Sequence, residues 1–305
     1  MPDFTLRQLE CFVAVAEYAT IAHAADALHA SPSAVSGALG ELEKHLGEEL
    51  LVRRRAHGVT LTTAGRALLP RARAVLAAAA DLNPDDTEGL SGHLVLGIYR
   101  TLSASLLPGI IDGFTRQHPA VRLDFLEGSG DELLHALDEG RADVAILYHR
   151  DIYGPVQTEA LYELRAHVLL SADHRLAEAD SVSLTDLADE PFIQFDVQPA
   201  WQNTLALMAA ASVRPVIRYA TANYELARSM VGRGLGYTVL VNRPVNDLTH
   251  EGRRVVVKDL SPLPEPTVVA LAWPKDRAPS NLLREFVAWV ARPDREWRTE
   301  TESRG

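Results

Sequence analysis

Apolar residues recur at helical spacing in two short segments near the start of the chain. The first segment contains Ile21, Ala24, Ala25 and Leu28, and the second contains Val35, Leu39 and Leu42. The residues at positions 29 and 30 interrupt the pattern between them. Because two amphipathic helices separated by so short a break can share one small core, the pattern predicts a helix-turn-helix.

Residues that favour helix starts lie where this pattern requires them. Ser31 can cap the second helix, and Pro32 occupies a first-turn position where its missing N–H is harmless. Thr20 can cap the first helix in the same way. A helix-turn-helix reads DNA through the N-terminal residues of its second helix. For these residues alone, the alternative is an Ala-rich helical hairpin without DNA contacts.

The next segment, residues 50–80, is basic. It contains no Asp or Glu, and its arginines are Arg53, Arg54, Arg55, Arg66, Arg71 and Arg73. Apolar runs at 50–52 and 59–61 flank a turn at 56–58, which predicts a β-hairpin with arginines at its base. Thr62 or Thr63 can cap a following helix that runs to about Ala80. A basic run is usually a solvated face, but beside a helix-turn-helix it favours contact with phosphate, as in a DNA-binding wing.

Strands and helices alternate in the rest of the chain. Asn-Pro, glycines and acidic residues mark residues 82–91 as a hinge. Beyond it, apolar runs predict strands at 93–98, 121–126, 143–148, 166–170, 192–195, 216–220, 237–241 and 267–272, and helices at 105–117, 132–139, 201–211, 224–232 and 282–290. This alternation predicts a mainly parallel sheet with helices on both faces, in two α/β lobes that the chain crosses twice.

Long stretches of the chain resemble the LysR-type transcriptional regulators. From Phe4 to about Ala72 the resemblance has no gap and rests on LRQLECFVAVAE, ADALHASPSAVS, LEKHLGEELLVR and TLTTAG. Residues 92–146 are similar to the first lobe of the family's effector domain, and HRLAEADSVSLTDLADEPFI and VGRGLGYTVL to the second. The resemblance extends to about Val290. It implies an α/β protein with an N-terminal winged helix-turn-helix, a linker helix and a C-terminal two-lobed, periplasmic-binding-protein-like (Rossmann-like) effector domain.

The predicted domain boundaries follow from these patterns. The winged helix-turn-helix spans residues 1–62, the linker (dimerisation) helix 63–81, the hinge 82–91 and the effector-binding domain 92–291. Within that domain, lobe I comprises residues 92–162 and 265–291, and lobe II comprises residues 163–264. Residues 292–305, rich in Arg, Glu and Thr, are expected to form a flexible tail.

The resemblance also assigns DNA contacts. It implies base contact by Pro32, Ser33 and Ser36 and phosphate contact by Arg53, Arg54 and Arg66. The predicted DNA-binding set is completed by Thr20, Ser31, Arg55 and Thr62.

Pro32 departs from the family, which often has Gln at this position. Gln can read adenine with two hydrogen bonds, whereas Pro offers only apolar contact, for example to a thymine methyl group. Gly37 and Gly40 also lie in the recognition helix, and each lowers helix stability by about 0.5–1 kcal/mol relative to Ala. Thin base readout, close helix packing and a crowded groove are the open explanations of these residues.

In open α/β sheets, ligands bind beyond the carboxyl ends of strands, beside helix N-termini. The residues that follow the predicted strands are therefore the candidate effector contacts: Thr101, Leu102, Ser103, Ser129, Tyr148, Gln194, Phe195 and Asn223. In the family, hydroxyls that match Thr101, Ser103 and Ser129 commonly touch the inducer. Helix capping without a ligand is the alternative for these hydroxyls, and core packing is the alternative for Tyr148, Phe195 and Tyr224. Helix N-termini favour a small polar or anionic metabolite.

Charge is divided unevenly along the chain. The 305 residues carry a net charge of −11, but residues 1–80 hold equal numbers of basic and acidic side chains, so the net negative charge lies beyond the predicted DNA-binding part. Local positive charge is sufficient for DNA binding, and an acidic remainder limits non-specific attraction. The length leaves room for two or three domains.

The sequence contains no Gly-x-Ser-x-Gly elbow, phosphate loop, His-Glu-x-x-His motif or cysteine pair. The glycines at 232, 234 and 236 follow a predicted helix and precede a strand, which is the reverse of a dinucleotide fingerprint. We therefore expect no enzymatic activity, no cofactor and no metal. Cys11 lies among apolar residues and is interpreted as a small buried side chain rather than a redox sensor. Because neither a signal peptide nor a membrane-spanning apolar run is found, we expect a location in the bacterial cytoplasm and no membrane association.

These expectations define a DNA-binding transcriptional regulator in which an effector closes the cleft between two lobes and repositions paired winged helices on an operator. Linker helices of two chains would pack through Leu68, Val75 and Leu76, within a homodimer or homotetramer. The expected partners are double-stranded operator DNA, the effector and RNA polymerase. The alternative is a small-molecule binding protein of periplasmic-binding-protein descent whose DNA binding is vestigial.

Overall fold

The computed structural model describes residues 4–54, 58–80, 90–198, 200–243 and 246–292. Its first domain contains three helices and a hairpin. The helices are α1 (Leu6–Tyr18), α2 (Ile21–Ala27) and α3 (Pro32–Leu46), and the antiparallel strands are β1 (Leu51–Arg54) and β2 (Gly58–Leu61). This arrangement confirms the predicted helix-turn-helix and wing. Cys11 is buried in α1, as its apolar neighbours predicted.

Side-chain caps fix the starts of these helices at the predicted residues. The Thr20 hydroxyl accepts a hydrogen bond from His23 N, and the Ser31 hydroxyl accepts one from Ala34 N at 3.1 Å. Pro32 follows as the first residue of α3. The interior residues of α3, Val35, Leu39 and Leu42, are fully buried against α1 and α2. Capping sets where α3 begins, and this burial sets which of its faces is exposed.

A linker helix, α4 (Thr63–Ala80), follows the wing. Of the two candidate caps, the structure uses Thr62, whose hydroxyl accepts a hydrogen bond from Gly65 N at 3.0 Å and donates one to Glu49 O at 2.7 Å. Gly65 lies so close to the start of β1 that an added Cβ would stand 2.2 Å from Leu50 O. The predicted hinge at 82–91 falls largely on residues 81–89, which lie outside the described residues.

The second domain begins with a five-stranded sheet of order β4-β3-β5-β13-β6. Its strands are β3 (Gly92–Tyr99), β4 (Val121–Gly128), β5 (Val144–Tyr148), β6 (Val156–Leu164) and β13 (Thr267–Pro274). The helices that pack on it are α5 (Arg100–Gln117), α6 (Gly130–Asp138) and α9 (Asn281–Ala291). Strands β3, β4 and β5 are parallel, whereas β13 runs antiparallel to β5 and β6, so the expected mainly parallel sheet is correct only for its first half.

A second group of strands forms the other lobe. Its strands are β7 (His167–Ser171), β8 (Ser181–Val182), β9 (Pro191–Phe195), β10 (Val216–Thr221), β11 (Thr238–Leu240) and β12 (Val255–Leu260), with helices α7 (Ala200–Ala210) and α8 (Tyr224–Gly232). Here β7 pairs antiparallel with β11 and β12, while β9 and β10 are parallel. The chain passes between the two sheets after Leu164 and again before Thr267, which gives the predicted double crossing.

Two kinds of element differ from the sequence prediction. Helix α5 begins at Arg100, five positions before the predicted residue 105, because its first turn packs into the core, where Leu102 is fully buried. Strands β6, β8 and β12 were not predicted. Most side chains in the first half of β6 are exposed, since it lies at the edge of its sheet, so it lacks the apolar alternation that marks a half-buried strand.

The first domain contacts lobe I of the same chain through charged side chains. Glu17 at the end of α1 lies 3.0 Å from the Arg73 guanidinium of α4 and 3.5 Å from His93 Nδ1 at the start of β3. His93 Nε2 lies 2.9 Å from the Asp124 carboxylate of β4. Gly140 approaches Pro70 of α4 so closely that a Cβ would stand 2.2 Å from the proline Cβ. We call Glu17, Arg73, His93 and Asp124 the domain contact.

Within the described ranges, the chain has no helix whose length and apolar character would let it cross a membrane. The same ranges contain no group of three or more His, Cys, Asp or Glu side chains placed to hold a metal ion.

Two glycines predict opposite stability changes on substitution by alanine. Gly65→Ala forces a Cβ against Leu50 O and should destabilise the first domain by about 1–3 kcal/mol. Gly40→Ala adds a Cβ with no atom of the described chain within 4 Å in the middle of α3, and should stabilise by about 0.5–1 kcal/mol. Urea unfolding of both variants measures the change in the free energy of unfolding that each substitution causes. Stabilisation by Gly65→Ala would show that the close approach at Gly65 is not a constraint, and destabilisation by Gly40→Ala would contradict the open space at that position.

The domain contact predicts a pH-dependent stability. The hydrogen bond with Glu17, foremost among several causes, raises the pKa of His93 above its usual value of 6.5. A raised folded-state pKa means that the folded chain holds this proton more tightly than the unfolded chain. The stabilisation is therefore fully present below pH 6.5 and is lost as pH rises through the folded-state pKa. Thermal melts between about pH 5.5 and 8.5 should show wild type losing stability relative to His93→Gln as pH rises. His23→Gln, at an exposed position of α2, is the matched control and should follow wild type.

Candidate functional sites

The N-terminal turn of α3 is the first candidate site. Pro32 and Ser33 are exposed, and Ser36, one turn further along, is half-buried. The Ser33 hydroxyl lies 3.0 Å from the Ser31 hydroxyl, which already caps the helix. Since Val35 and Leu39 anchor the opposite face in the core, this turn projects from the domain with small side chains. Its shape suits insertion into a groove that an α-helix fills, such as the major groove of DNA.

Gly37 and Gly40 lie in open space. An added Cβ at either position would meet no atom of the described chain within 4 Å, apart from the backbone of its own helix. Close packing against another helix of this chain therefore does not explain them, which removes one of the three explanations that the sequence left open. A surface that something outside the chain approaches closely, and thin base readout, remain as explanations.

The structure describes only some of the remaining predicted DNA-binding residues. Arg66 is exposed on α4 and donates a hydrogen bond to Leu61 O at 2.8 Å, while Thr20 and Thr62 cap α2 and α4. Arg53 and Arg54 belong to β1, but their side chains, and the whole of Arg55, lie outside the described residues. Phosphate contact by these arginines is thus a prediction that the structure does not test.

The second candidate site is a cavity of about 310 Å³ between the two lobes. Lobe I contributes Tyr99, Thr101, Tyr148, Arg150 and Asp151, lobe II contributes Phe195, Asn203, Leu207, Tyr224 and Asn242, and Pro264, Glu265 and Thr267 line the crossing between them. Such a volume lies at the lower end of the range for small-ligand sites, and the mixture of aromatic walls with few polar groups is typical of them.

Hydrogen bonds across the cavity join the lobes. The Tyr99 hydroxyl donates to Gln198 O at 3.1 Å, and the Asn242 Nδ2 amide donates to Thr101 O at 2.8 Å. Within lobe II, the Tyr224 hydroxyl donates to Asn242 O at 2.7 Å. Asn242 is buried, and its Oδ1 has no hydrogen-bond partner within the described structure. A buried amide oxygen without a donor is unfavourable by about 1–3 kcal/mol.

One carboxyl group in the cavity is strongly perturbed. Burial raises the pKa of Asp151 to about 6, with the nearby charge of Asp131 adding to the rise and that of Arg150 opposing it. Burial also raises the pKa of Tyr148, to about 12, and the Tyr148 and Thr101 hydroxyls bond to each other at 3.1 Å. The cavity therefore contains a carboxyl group that changes its charge within the physiological pH range.

The structure brings together only some of the predicted effector contacts. Thr101, Tyr148 and Phe195 line the cavity, as does Tyr224. The other predicted residues have different surroundings: Leu102 is a core residue, Ser103 is buried and bonds to Arg100 O, Ser129 and Asn223 cap α6 and α8, and Gln194 bonds to Asp196. Capping, the alternative for the hydroxyls, is what the structure shows for Ser129.

Tyr99, Asp151 and Asn242 line the cavity but were not among the predicted effector contacts. The strand-end rule contained all three, because Tyr99 follows the first predicted strand, Asp151 lies three residues beyond β5 and Asn242 two residues beyond β11. In the structure Tyr99 is the last residue of β3 and is buried. Only the facing lobe makes it a cavity residue, since its hydroxyl reaches Gln198 O.

Comparison with known domain families gives two matches. A family model described as the LysR substrate binding domain matches residues 87–293. A second, described as the bacterial regulatory helix-turn-helix protein of the lysR family, matches residues 6–66. The two matches correspond to the two parts of the chain in which the candidate sites lie.

Individual proteins of known sequence or structure are similar over nearly the whole chain. The Hca operon transcriptional activator HcaR of Escherichia coli K12 is 28% identical over 93% of this chain and 96% of its own. The crystal structure of HinK, a LysR family transcriptional regulator from Pseudomonas aeruginosa, is 33% identical with a TM-score of 0.63 and covers 95% of this chain and 98% of its own. Full-length OxyR from Pseudomonas aeruginosa, at 23% identity and a TM-score of 0.71, covers 94% of this chain and 98% of its own and is similar in fold.

Proposed function

This chain belongs to the LysR family of transcriptional regulators, and on that premise we propose that it binds one operator class through α3 and senses an effector between its lobes. Regulators of this family bind DNA and small-molecule effectors and form oligomers. The proposal assigns the N-terminal turn of α3 to base contacts, the wing arginines and Arg66 to phosphates, and no residue to catalysis. The alternative of a binding protein with vestigial DNA binding is not favoured, because both domains match the family.

The observation that carries the proposal is the exposed N-terminal turn of α3. Its small side chains, Pro32, Ser33 and Ser36, lie on a helix whose other face is buried. Gly37 and Gly40 add no side chains to the exposed face of this helix. Proline and short hydroxyls make few base-edge hydrogen bonds. Operator choice therefore rests partly on phosphate contacts from the wing and on the shape of the DNA.

Oligomerisation through α4 brings two such helices to one operator. Val75 of α4 is 44% exposed although it lies between residues that pack on the core of the first domain. Pairing of α4 with the same helix of a second chain would bury Val75 together with the outer parts of Leu68 and Leu76. The proposed assembly is a homodimer or homotetramer that acts in the bacterial cytoplasm with RNA polymerase as a further partner, and the spacing of its paired helices sets the half-site separation.

Selection of bound fragments from the source genome, followed by footprinting, tests this function. The full chain should protect a discrete site with two half-sites separated by one or more helical turns, about 10 base pairs each. Uniform, weak binding to all fragments would show that the winged helix-turn-helix does not recognise a specific DNA sequence.

Ser33 and Arg54 should have different effects on DNA binding. Ser33→Ala should change the relative affinity for operator variants at one base position by about 1–3 kcal/mol. Arg54→Ala should weaken binding to all sequences alike and lower the slope of log affinity against log salt by about one unit. Fluorescence anisotropy on operator and random duplexes, at several salt concentrations, separates the two. An equal loss on both duplexes for Ser33→Ala would remove its assigned role.

A further inference from the structure

Some polar groups of the residues that line the inter-lobe cavity are hydrogen-bonded within the protein, and others are not. The donors are mostly engaged within the protein: Tyr99 donates to Gln198 O, Tyr224 to Asn242 O, the Asn242 amide nitrogen to Thr101 O and Thr204 to Ala200 O. The Thr101 and Tyr148 hydroxyls bond to each other. Arg150 and Asn203 also line the cavity, and their side-chain donors have no hydrogen-bond partner within the described structure.

Two acceptors of the residues that line the cavity have no hydrogen-bond partner within the described structure. Asn242 Oδ1 is buried and has no partner in the described structure. The Asp151 carboxylate is influenced only by burial and by the neighbouring charges of Arg150 and Asp131, and no described residue donates a hydrogen bond to it. Glu265 adds a second carboxylate at the exposed margin. The charged groups that remain for a ligand are thus two carboxylates, Asp151 and Glu265, and one guanidinium, Arg150.

The walls of the cavity are aromatic. Tyr99 and Tyr148 pack edge to face with ring centroids 5.0 Å apart, and Phe195 and Tyr224 do the same at 6.0 Å. Aromatic faces attract cations electrostatically and accept apolar groups by contact. They offer no comparable attraction to a carboxylate.

We propose that the effector of this regulator is a protonated amine on an apolar body, bound with its ammonium group at the Asp151 carboxylate. This inference rests on the proposed function, because it names the ligand class of the site assigned there. It replaces the polar or anionic metabolite that the helix N-termini favoured. The first turn of α5, which lacks a side-chain cap, and the exposed Arg150 are the features that would attract an anion instead.

Matched ligands on the full chain test the proposal by calorimetry at about pH 7.5. Two bodies are used: 2-phenylethylamine, 2-phenylethanol and phenylacetate form one set, and hexylamine and hexanoate the other. In each set the amine should bind at least about tenfold more tightly than the carboxylate, which corresponds to about 1.4 kcal/mol. A carboxylate that binds as tightly as its amine, or no saturable binding of either amine up to about 10 mM, overturns the proposal.

Asp151→Asn should remove the preference for the amine. We expect its affinity for 2-phenylethylamine to fall about tenfold or more, while its affinity for 2-phenylethanol changes less than about threefold. Asp112→Asn removes one exposed carboxylate from α5, far along the helix from the cavity, and should bind the amine as wild type does. Equal losses in both variants would show that net charge, not Asp151, attracts the ligand.

The pH dependence of wild type gives a measurement that needs no variant. Asp151 is ionised above its pKa of about 6, so amine affinity should rise by about tenfold between pH 5 and 7.5 and then level off. The groups around this carboxyl are Arg150 and His149 in its own turn, Asp131 on α6, and Tyr99 and Tyr148 on β3 and β5. A positively charged His149 would repel an amine and so add to the same rise with pH, and His149→Gln removes that contribution. A flat profile in His149→Gln would contradict the role of Asp151.

Failure here is distinguishable from failure of the proposed function. If phenylacetate binds and the amines do not, the cavity is still an effector site and only the ligand class is wrong. If no discrete operator is protected in the footprint, the regulator assignment fails whatever the cavity binds.

Discussion

Asn242 joins the two lobes of the effector domain at the position where a ligand would lie. Its side-chain Nδ2 donates a hydrogen bond to Thr101 O of lobe I, and its backbone oxygen accepts one from the Tyr224 hydroxyl of lobe II. Its side-chain Oδ1 has no hydrogen-bond partner within the described structure. Asn242 and Tyr99, which donates to Gln198 O, therefore both join the lobes beside the cavity. Ligand binding and lobe contact involve the same residues, because both residues also line the cavity.

The first domain contacts the effector domain through a few side chains. Glu17 of α1 pairs with Arg73 of α4 and lies 3.5 Å from His93 of lobe I, and Pro70 of α4 packs on Gly140. These contacts are charged and partly exposed, and such pairs contribute little to stability individually. A weak contact of this kind suits a protein whose domains must change their arrangement, because a ligand can shift the balance between two states only if they differ by a few kcal/mol.

The candidate sites differ in how far the sequence predicted them. The caps Thr20, Ser31 and Thr62 act over three residues, so they are local and were found from sequence alone. Strand β6 was missed because its exposed first half leaves no periodic signal. Leu102 and Ser103 were expected in the cleft, but both side chains are buried, whereas Thr101 in the same turn of α5 lines the cavity. For the cavity, strand ends indicated the correct edge of each sheet, while the choice of residues there needed the facing lobe.

The sequence by itself determined the helix-turn-helix, the wing and the alternating lobes, because each depends on the spacing of apolar residues or on turn and cap residues within a few positions. The family followed from the resemblance of long stretches of the sequence to its members. Only the tertiary structure decided which polar groups of the cavity are engaged. Tyr99 and Gln198 are 99 positions apart, and Asn242 and Thr101 are 141 apart. Whether a hydrogen-bonding group is satisfied depends on neighbours brought together by folding, and this set the charge of the ligand that we infer for the cavity.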